Sequence, residues 1–131
     1  MVSLKQRVLN IAYKKKLSHL GSYFSSLGLI DDIFSQMEKD DIFILSCGHA
    51  ALSLYVAIEK YYGIDAEKLF DLHGGHPHRD EKNKLYCSTG SLGLGLLVAI
   101  GRAMANKKRS VYCLISDGEC AEGSIWEGLR F

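Results

Sequence analysis

An acidic residue follows a short apolar run of the sequence, at a place where parallel sheets bind their ligands. Residues 110–115 are predicted to form a buried strand, and Asp117 comes two residues after it, before Gly118. An acid there can hold a hard divalent cation, which in turn holds phosphate groups. Aspartate also caps turns and helices, and the residues alone leave both roles open. Glu119 and Glu122 lie downstream, where Glu122 is either a residue that favours the start of a helix or a proton-transfer acid.

A glycine-rich stretch, Ser88-Thr89-Gly90-Ser91-Leu92-Gly93-Leu94-Gly95, provides a second candidate site. It leads into an apolar segment predicted to be a helix, and the N–H groups at the start of a helix bind anions. The stretch has neither the Gly-x-Gly-x-x-Gly spacing of a dinucleotide site nor the Lys-Ser/Thr pair of a P-loop. Tight packing of the helix is another reason for glycine here, and both interpretations remain open.

Five histidines supply groups that change charge close to neutral pH. His19 and His49 stand beside glycines in predicted loops, whereas His73, His76 and His78 lie close together in a polar segment. A cluster of imidazoles can bind zinc, although no cysteine accompanies this one closely. Hydrogen bonding and proton transfer are the alternative roles.

Helices and strands alternate along the chain, and they must position these groups. Helices are predicted at 3–16, 65–72 and 94–105. Three more are predicted with one clear end each: one begins at 27, one follows the first strand and ends near 63, and one begins near 124. Buried strands are predicted at 42–45 and 110–115. Residues 17–26 are predicted to be a loop, with Ser25 or Ser26 capping the next helix. The helix at 94–105 is apolar all round and is expected to be buried. This alternation predicts an α/β fold with a parallel sheet, and two strands are few for such a sheet.

Composition excludes several classes of protein. The 131 residues carry 16 Lys+Arg against 15 Asp+Glu, a net charge of +1, without the basic excess typical of a nucleic-acid binder. No uncharged apolar run approaches the ~18 residues of a membrane helix. The first residues lack the pattern of a signal peptide, and the four cysteines form neither a zinc pattern nor a Cys-x-x-Cys pair. We therefore expect a cytoplasmic protein with free thiols, with no nucleic acid and no membrane among its partners.

Five motifs, taken in their order along the chain, resemble those of the transketolase family. They are Ser18-His19-Leu20-Gly21, the segment 41–50 with its Gly48-His49 pair, Gly75-His76-Pro77, Ser88-Thr89-Gly90-Ser91-Leu92-Gly93, and the segment 116–127. The last is similar to the opening of the family's thiamine diphosphate signature. The resemblance runs from about Leu4 to Phe131 and is nearest to the N-terminal, diphosphate-binding part, including versions encoded as a separate subunit. It implies that residues 1–131 form part of a three-layer α/β/α thiamine diphosphate-binding domain.

The resemblance also implies roles for individual residues. It implies a Mg²⁺ or Ca²⁺ ligand at Asp117, diphosphate contacts at His49 and at the Gly118 backbone, and a lining for the cofactor at Gly90, Ser91 and Leu92. His19 and His76 are then the catalytic histidines that face the sugar substrate and move protons. Glu122 corresponds to an acid at the subunit interface, and Glu119 belongs to the same cofactor-binding signature.

Two departures from the family pattern shape the expected function. Ser116 stands where the family has glycine, and the family's second side-chain metal ligand and its pyrimidine-binding domain have no counterpart in these 131 residues. We therefore expect a truncated or split subunit that contributes to two-carbon ketol transfer between sugar phosphates. It would work in a homo- or hetero-oligomer with a complementing chain that carries the pyrimidine-binding domain. The alternatives are another thiamine diphosphate enzyme, such as deoxyxylulose-phosphate synthase, and a non-catalytic interaction module or degenerate remnant.

Overall fold

A computed structural model describes residues 2–131. The chain forms two compact units, which interleave along the sequence. The first unit comprises the chain up to Gln36 together with His49–Gly75, and the second comprises Met37–Gly48 together with His76–Phe131. Within the described residues, every helix is too short or too polar to cross a membrane.

Four helices build the first unit. They are α1 (Leu4–Lys15), α2 (Leu20–Gln36), α3 (Ala51–Tyr62) and α4 (Ala66–His73). Helix α3 is central, because residues 51–58 are all buried and the other three helices pack against it. Helix α1 contributes a stripe of buried residues at helical spacing, namely Val8, Ile11 and Ala12. The predicted first helix is thus confirmed, and the predicted Asp65 cap is present, with its carboxylate accepting the Lys68 N–H at 2.8 Å.

Helix α2 begins earlier than the sequence indicates. The predicted loop over residues 17–26 is wrong from Leu20 onward, and Ser25 and Ser26 lie within the helix instead of capping it. The Ser26 hydroxyl donates to the carbonyl of Ser22 at 2.7 Å, so its polar group is satisfied inside the helix. Burial of Tyr23 and of apolar residues further along α2 outweighs the weak helix propensity of serine and glycine.

The second unit contains a parallel sheet. Strands β1 (Ile42–Leu45) and β2 (Val111–Leu114) pair from Ile42 opposite Val111 to Leu45 opposite Leu114. Helix α5 (Leu94–Ala105) packs against both strands, and helix α6 (Gly123–Arg130) packs against α5. The predicted α/β fold with a parallel sheet is therefore confirmed.

A buried carboxylate fixes the register at the amino ends of the strands. Asp41 accepts the N–H of Ser110, which precedes β2, at 2.7 Å and the N–H of Glu38 at 3.0 Å. Because Asp41 itself directly precedes β1, one side chain holds the starts of both strands together.

Two expectations of burial in the second unit are wrong. Only Gly95 and Ala99 of α5 are buried, whereas Leu94 is 50% and Met104 is 55% exposed. Strand β2 is half-buried, in contrast to the fully buried β1. The apolar composition predicted burial, but the described residues supply only two strands for α5 to pack against. One face of α5 therefore stays exposed.

Candidate functional site

The carboxyl ends of the two strands bring two turns to the same edge of the sheet. Leu45 pairs with Leu114, so the turns that start at Ser46 and Ser116 leave the sheet side by side. Asp117 is exposed in the second turn. It stands at the start of a short 3₁₀ turn, but its side chain makes no capping hydrogen bond. The capping alternative for Asp117 is thus wrong, and its carboxylate is directed to solvent, where an oxygen-seeking cation could bind.

Glu119 lies beneath this edge and is fully buried, with 0% of its surface exposed. Its Oε1 accepts the Ser46 hydroxyl at 2.6 Å and the Gly93 N–H at 2.8 Å. Its Oε2 accepts the N–H of Ser116 at 2.8 Å and the hydroxyl of that serine at 3.3 Å. The residues after both strands and the residue before α5 therefore meet at one carboxyl group. The sequence analysis missed this cluster. The one feature of the sequence that points to it is a serine directly after each predicted strand.

The glycine-rich stretch shows why glycine is needed at two of its positions. A Cβ on Gly95 would lie 2.6 Å from the Cα of Ser46, so only glycine lets α5 approach the turn after β1. Gly93 has φ +83°, in the left-handed region, and its carbonyl accepts the Ser124 hydroxyl at 3.1 Å. The packing interpretation is correct for these two glycines. Binding of an anion remains a prediction, and it has some support because α5 has no side-chain cap on its first N–H groups.

A second close approach joins the turn after β1 to the glycine-rich stretch. A Cβ on Gly48 would lie 2.8 Å from the backbone carbonyl of Thr89. The Thr89 N–H donates to the Pro77 carbonyl at 3.1 Å, while its buried Oγ1 has no hydrogen-bond partner among residues 2–131. On the same segment, the His76 ring lies 3.4 Å from where a Cβ on Gly90 would be. The structure thus places His76 beside Gly90, the residue that follows Thr89.

The other predicted site residues fall into two groups. Five of them lie in the second unit and are exposed: Gly90, Ser91, Leu92, Gly118 and Glu122. In the first unit, His19 precedes α2 and His49 precedes α3, with ring centroids 6.0 Å apart. Across residues 2–131 the structure contains no group of three or more His, Cys, Asp or Glu side chains arranged to hold a metal ion.

The cysteines around the sheet differ in their expected reactivity. Burial raises the pKa of the Cys47 thiol to about 11 and that of Cys113 to about 12, and the charge of Glu119 adds to both shifts. Cys120 is exposed. Because the thiolate is the reactive form, we expect iodoacetamide to label Cys120 in the native chain and to label Cys47 and Cys113 only after unfolding. Peptide mass spectrometry over a time course checks this order, and early labelling of Cys113 would contradict it.

Comparison with known proteins shows which family this chain resembles. Residues 31–129 match the family described as "Transketolase, thiamine diphosphate binding domain". The chain is 33% identical to a subunit of apulose-4-phosphate transketolase from Phocaeicola vulgatus, an alignment covering 94% of this chain and 50% of that protein. It is 42% identical to transketolase-like protein 2 of Bos taurus and 40% identical to transketolase of Homo sapiens, each over 70% of this chain and 16% of the relative. The chain therefore spans half or less of the length of these relatives.

Proposed function

Because the chain belongs to the family of transketolase thiamine diphosphate-binding domains, we propose that it binds the diphosphate of thiamine diphosphate through a divalent cation at Asp117. The observation that carries this proposal is the exposed, uncapped Asp117 carboxylate at the carboxyl end of β2. Open α/β sheets bind their ligands at this edge. With a net charge of +1, the chain has no excess of Lys and Arg to neutralise a diphosphate, so a cation is the fitting counter-charge.

The residues of the second unit suit a diphosphate and its cation. Mg²⁺ usually keeps several waters and binds through one or two carboxylates together with phosphate oxygens, so a single acid is a sufficient protein contribution. We assign Asp117 to the metal, with Mg²⁺ preferred over Ca²⁺, and the Gly118 N–H to the phosphates. The uncapped first turn of α5 adds further N–H donors.

The Thr89 hydroxyl supports a ligand beside the glycine-rich stretch. Buried hydroxyls normally have a hydrogen-bond partner, and the buried Oγ1 of Thr89 has none in the part of the chain that the structure describes. A polar group of the cofactor lying against Gly90, Ser91 and Leu92 would satisfy it. We therefore assign these three residues to the lining of the cofactor site.

The remaining roles that we propose concern protons and orientation. When bound, thiamine diphosphate supplies a thiazolium carbon that carries the carbon–carbon chemistry, while the protein binds and orients the reactants. An imidazole ring can both donate and accept a proton, which suits His19 and His76 for proton transfer at the sugar substrate. We assign His49 to the diphosphate and the exposed Glu122 to a subunit contact.

A complementing chain completes the proposed enzyme. Exposed apolar side chains on α5 and α6 support this, since Leu94 is 50%, Trp126 is 63% and Leu129 is 64% exposed. Large apolar side chains that cluster at the surface are typical of sites that bind another polypeptide, and both helices of this packed pair carry them. We propose a partner that carries the pyrimidine-binding domain, within a homo- or hetero-oligomer. The four free cysteines fit the reducing cytoplasm that we propose as its location.

A ketol-transfer assay tests the proposed function. We expect two-carbon transfer between sugar phosphates when this chain is combined with a separately produced chain carrying the pyrimidine-binding domain, together with Mg²⁺ and thiamine diphosphate. Each chain alone should be inactive, because catalytic groups that act as a unit lose most of the rate when separated. Mass spectrometry of the products separates ketol transfer from deoxyxylulose phosphate synthesis. A mixture that assembles, binds the cofactor and transfers no ketol unit would contradict the proposal.

A further inference from the structure

Glu119 stands out because it is a fully buried acid without a basic partner. None of the ion pairs formed within residues 2–131 includes it. Burying a carboxyl group is costly unless its oxygens are satisfied. Here two backbone N–H groups and two serine hydroxyls satisfy them, at 2.6–3.3 Å. An apolar residue of similar size would avoid the cost, so a reason for an acid at this position must come from what it holds.

The donors to Glu119 come from three separate segments of the second unit. Ser46 follows β1, Ser116 follows β2, and Gly93 precedes α5. Two of them adjoin residues assigned above to the cofactor. Asp117 comes directly after Ser116, and the stretch 90–92 comes directly before Gly93.

We propose that Glu119 is a positioning residue of the diphosphate site, which aligns these three segments and does not itself touch the cofactor. This inference rests on the proposed function. The positioning role differs from the role that the family resemblance implies, in which Glu119 is one of the cofactor-binding residues. A side chain with 0% exposure and both oxygens engaged has no lone-pair direction open to a ligand at the surface. Its effect on binding therefore passes through Ser116 and Gly93.

The same arrangement accounts for Ser116, which stands where the family pattern has glycine. Its hydroxyl lies 3.3 Å from Oε2 of Glu119 and 3.4 Å from the Glu119 N–H. The serine side chain is thus bound to the buried acid, and it adds a donor to the cluster that glycine would lack.

Glu119→Gln tests the inference with little change in size. Each carboxyl oxygen of Glu119 accepts one backbone N–H, from Gly93 or from Ser116. Whichever way the Gln amide turns, its NH₂ group faces one of these N–H donors, and that hydrogen bond is lost. We expect amide hydrogen exchange at Gly93 or Ser116 to accelerate at least about tenfold, and affinity for Mg²⁺–thiamine diphosphate to fall at least about tenfold.

Two further variants make the test decisive. Glu127→Gln makes the same chemical change at an exposed position of α6 and should leave both readouts unchanged. Ser46→Ala removes a single hydroxyl donor, so it should give a smaller effect in the same direction even if Glu119→Gln does not fold. A purely structural role would accelerate exchange throughout the second unit and leave the affinity of the folded fraction unchanged.

The outcomes separate this inference from the proposed function. Unchanged exchange at Gly93 and Ser116, together with unchanged affinity in the folded Glu119→Gln variant, would overturn the positioning role alone. Amide exchange is measured without cofactor, so it still tests how Glu119 holds the segments when the wild-type chain binds no thiamine diphosphate. Absence of binding by the wild type, in the presence of its complementing chain, would overturn the proposed function instead.

Discussion

Replacing Gly95 with alanine should destabilise the second unit strongly, by about 2–4 kcal/mol in the free energy of unfolding. The new Cβ would lie 2.6 Å from the Cα, Cβ and Oγ of Ser46, and real Cβ atoms do not approach other atoms so closely. Because a backbone atom is among those contacts, a side-chain rotation cannot relieve the clash. Helix α5 would have to move away from the turn after β1. Urea denaturation followed by circular dichroism measures the change.

The loss should be larger than the overlap alone predicts. Ser46 is fully buried, and its hydroxyl donates to Glu119 at 2.6 Å. Displacing Ser46 also strains the hydrogen bond from Gly93 to the same carboxyl group, because Gly93 lies two residues before Gly95. Leaving a buried carboxyl group short of donors costs about 1–3 kcal/mol by itself. Since small domains are stable by only about 5–15 kcal/mol, this variant should lose a large share of its stability.

A matched control lies in the same helix. Gly101 is exposed in α5, and a Cβ there would meet nothing within 4 Å. Gly101→Ala should therefore stabilise the chain by about 0.5–1 kcal/mol, the helix-propensity gain of alanine over glycine. Opposite signs for the two substitutions would confirm that close approach is the reason for Gly95. Equal effects at the two positions would contradict it.

The regular elements were predictable where a local pattern and burial agree. The run Ile42–Leu45 is apolar, short and preceded by acids, and the observed strand has the same bounds. Helix α5 also matches its predicted span, Leu94–Ala105. In both segments the hydrophobic residues alone determine the element, so no distant contact was needed to recognise it.

The errors arose where distant contacts decide the structure. Helix α2 starts at Leu20 because Tyr23 and Ser26 are buried, and the Ser53 hydroxyl donates to the Tyr23 carbonyl at 2.7 Å. The helix propensities of the residues in this segment give no information about that contact with α3. The exposed face of α5 was missed for the opposite reason, since composition shows that a helix can be buried but not whether a partner covers it.

The candidate site divides in the same way. Motif order identified Asp117 as a candidate ligand, but only coordinates show that its side chain does not cap the turn that follows. The burial of Glu119 depends on Ser46, which is 73 positions away along the chain, and no local pattern reports a contact at that separation. Spacing therefore revealed the exposed residues of the site better than the residue that holds its segments together.

Asp117→Asn should remove the metal-dependent part of thiamine diphosphate binding. Asparagine keeps the size of the side chain, and Asp117 is exposed and makes no capping hydrogen bond, so the fold should be unaffected. The charge that would bind Mg²⁺ is lost. We expect affinity for the cofactor in the presence of Mg²⁺ to fall at least about tenfold. Loss of a residue that only hydrogen-bonds a metal ligand already weakens metal binding by about this factor, so loss of the ligand itself should weaken it at least as much.

Residue-resolved NMR suits this measurement, because it detects weak binding and reports where it occurs. Thiamine diphosphate should shift the amide signals of Gly90 and Gly118 in the wild-type chain, with larger shifts when Mg²⁺ is present. Replacing Mg²⁺ by Mn²⁺ should broaden the signals on either side of Asp117. In Asp117→Asn the difference between titrations with and without Mg²⁺ should vanish, since the remaining N–H donors bind phosphate without needing a metal.

Asp40→Asn provides the matched control for the lost charge. Asp40 is also exposed and belongs to the same unit, but it precedes β1 and so lies at the amino end of the sheet. If overall charge alone governed attraction of the cation, the two variants would weaken binding equally, because each removes one negative charge. A direct ligand predicts instead that only Asp117→Asn abolishes the Mg²⁺ dependence and the Mn²⁺ broadening. An unchanged Mg²⁺ dependence in Asp117→Asn would move the cation to phosphate oxygens and backbone groups alone, and the assignment of Asp117 as its ligand would be wrong.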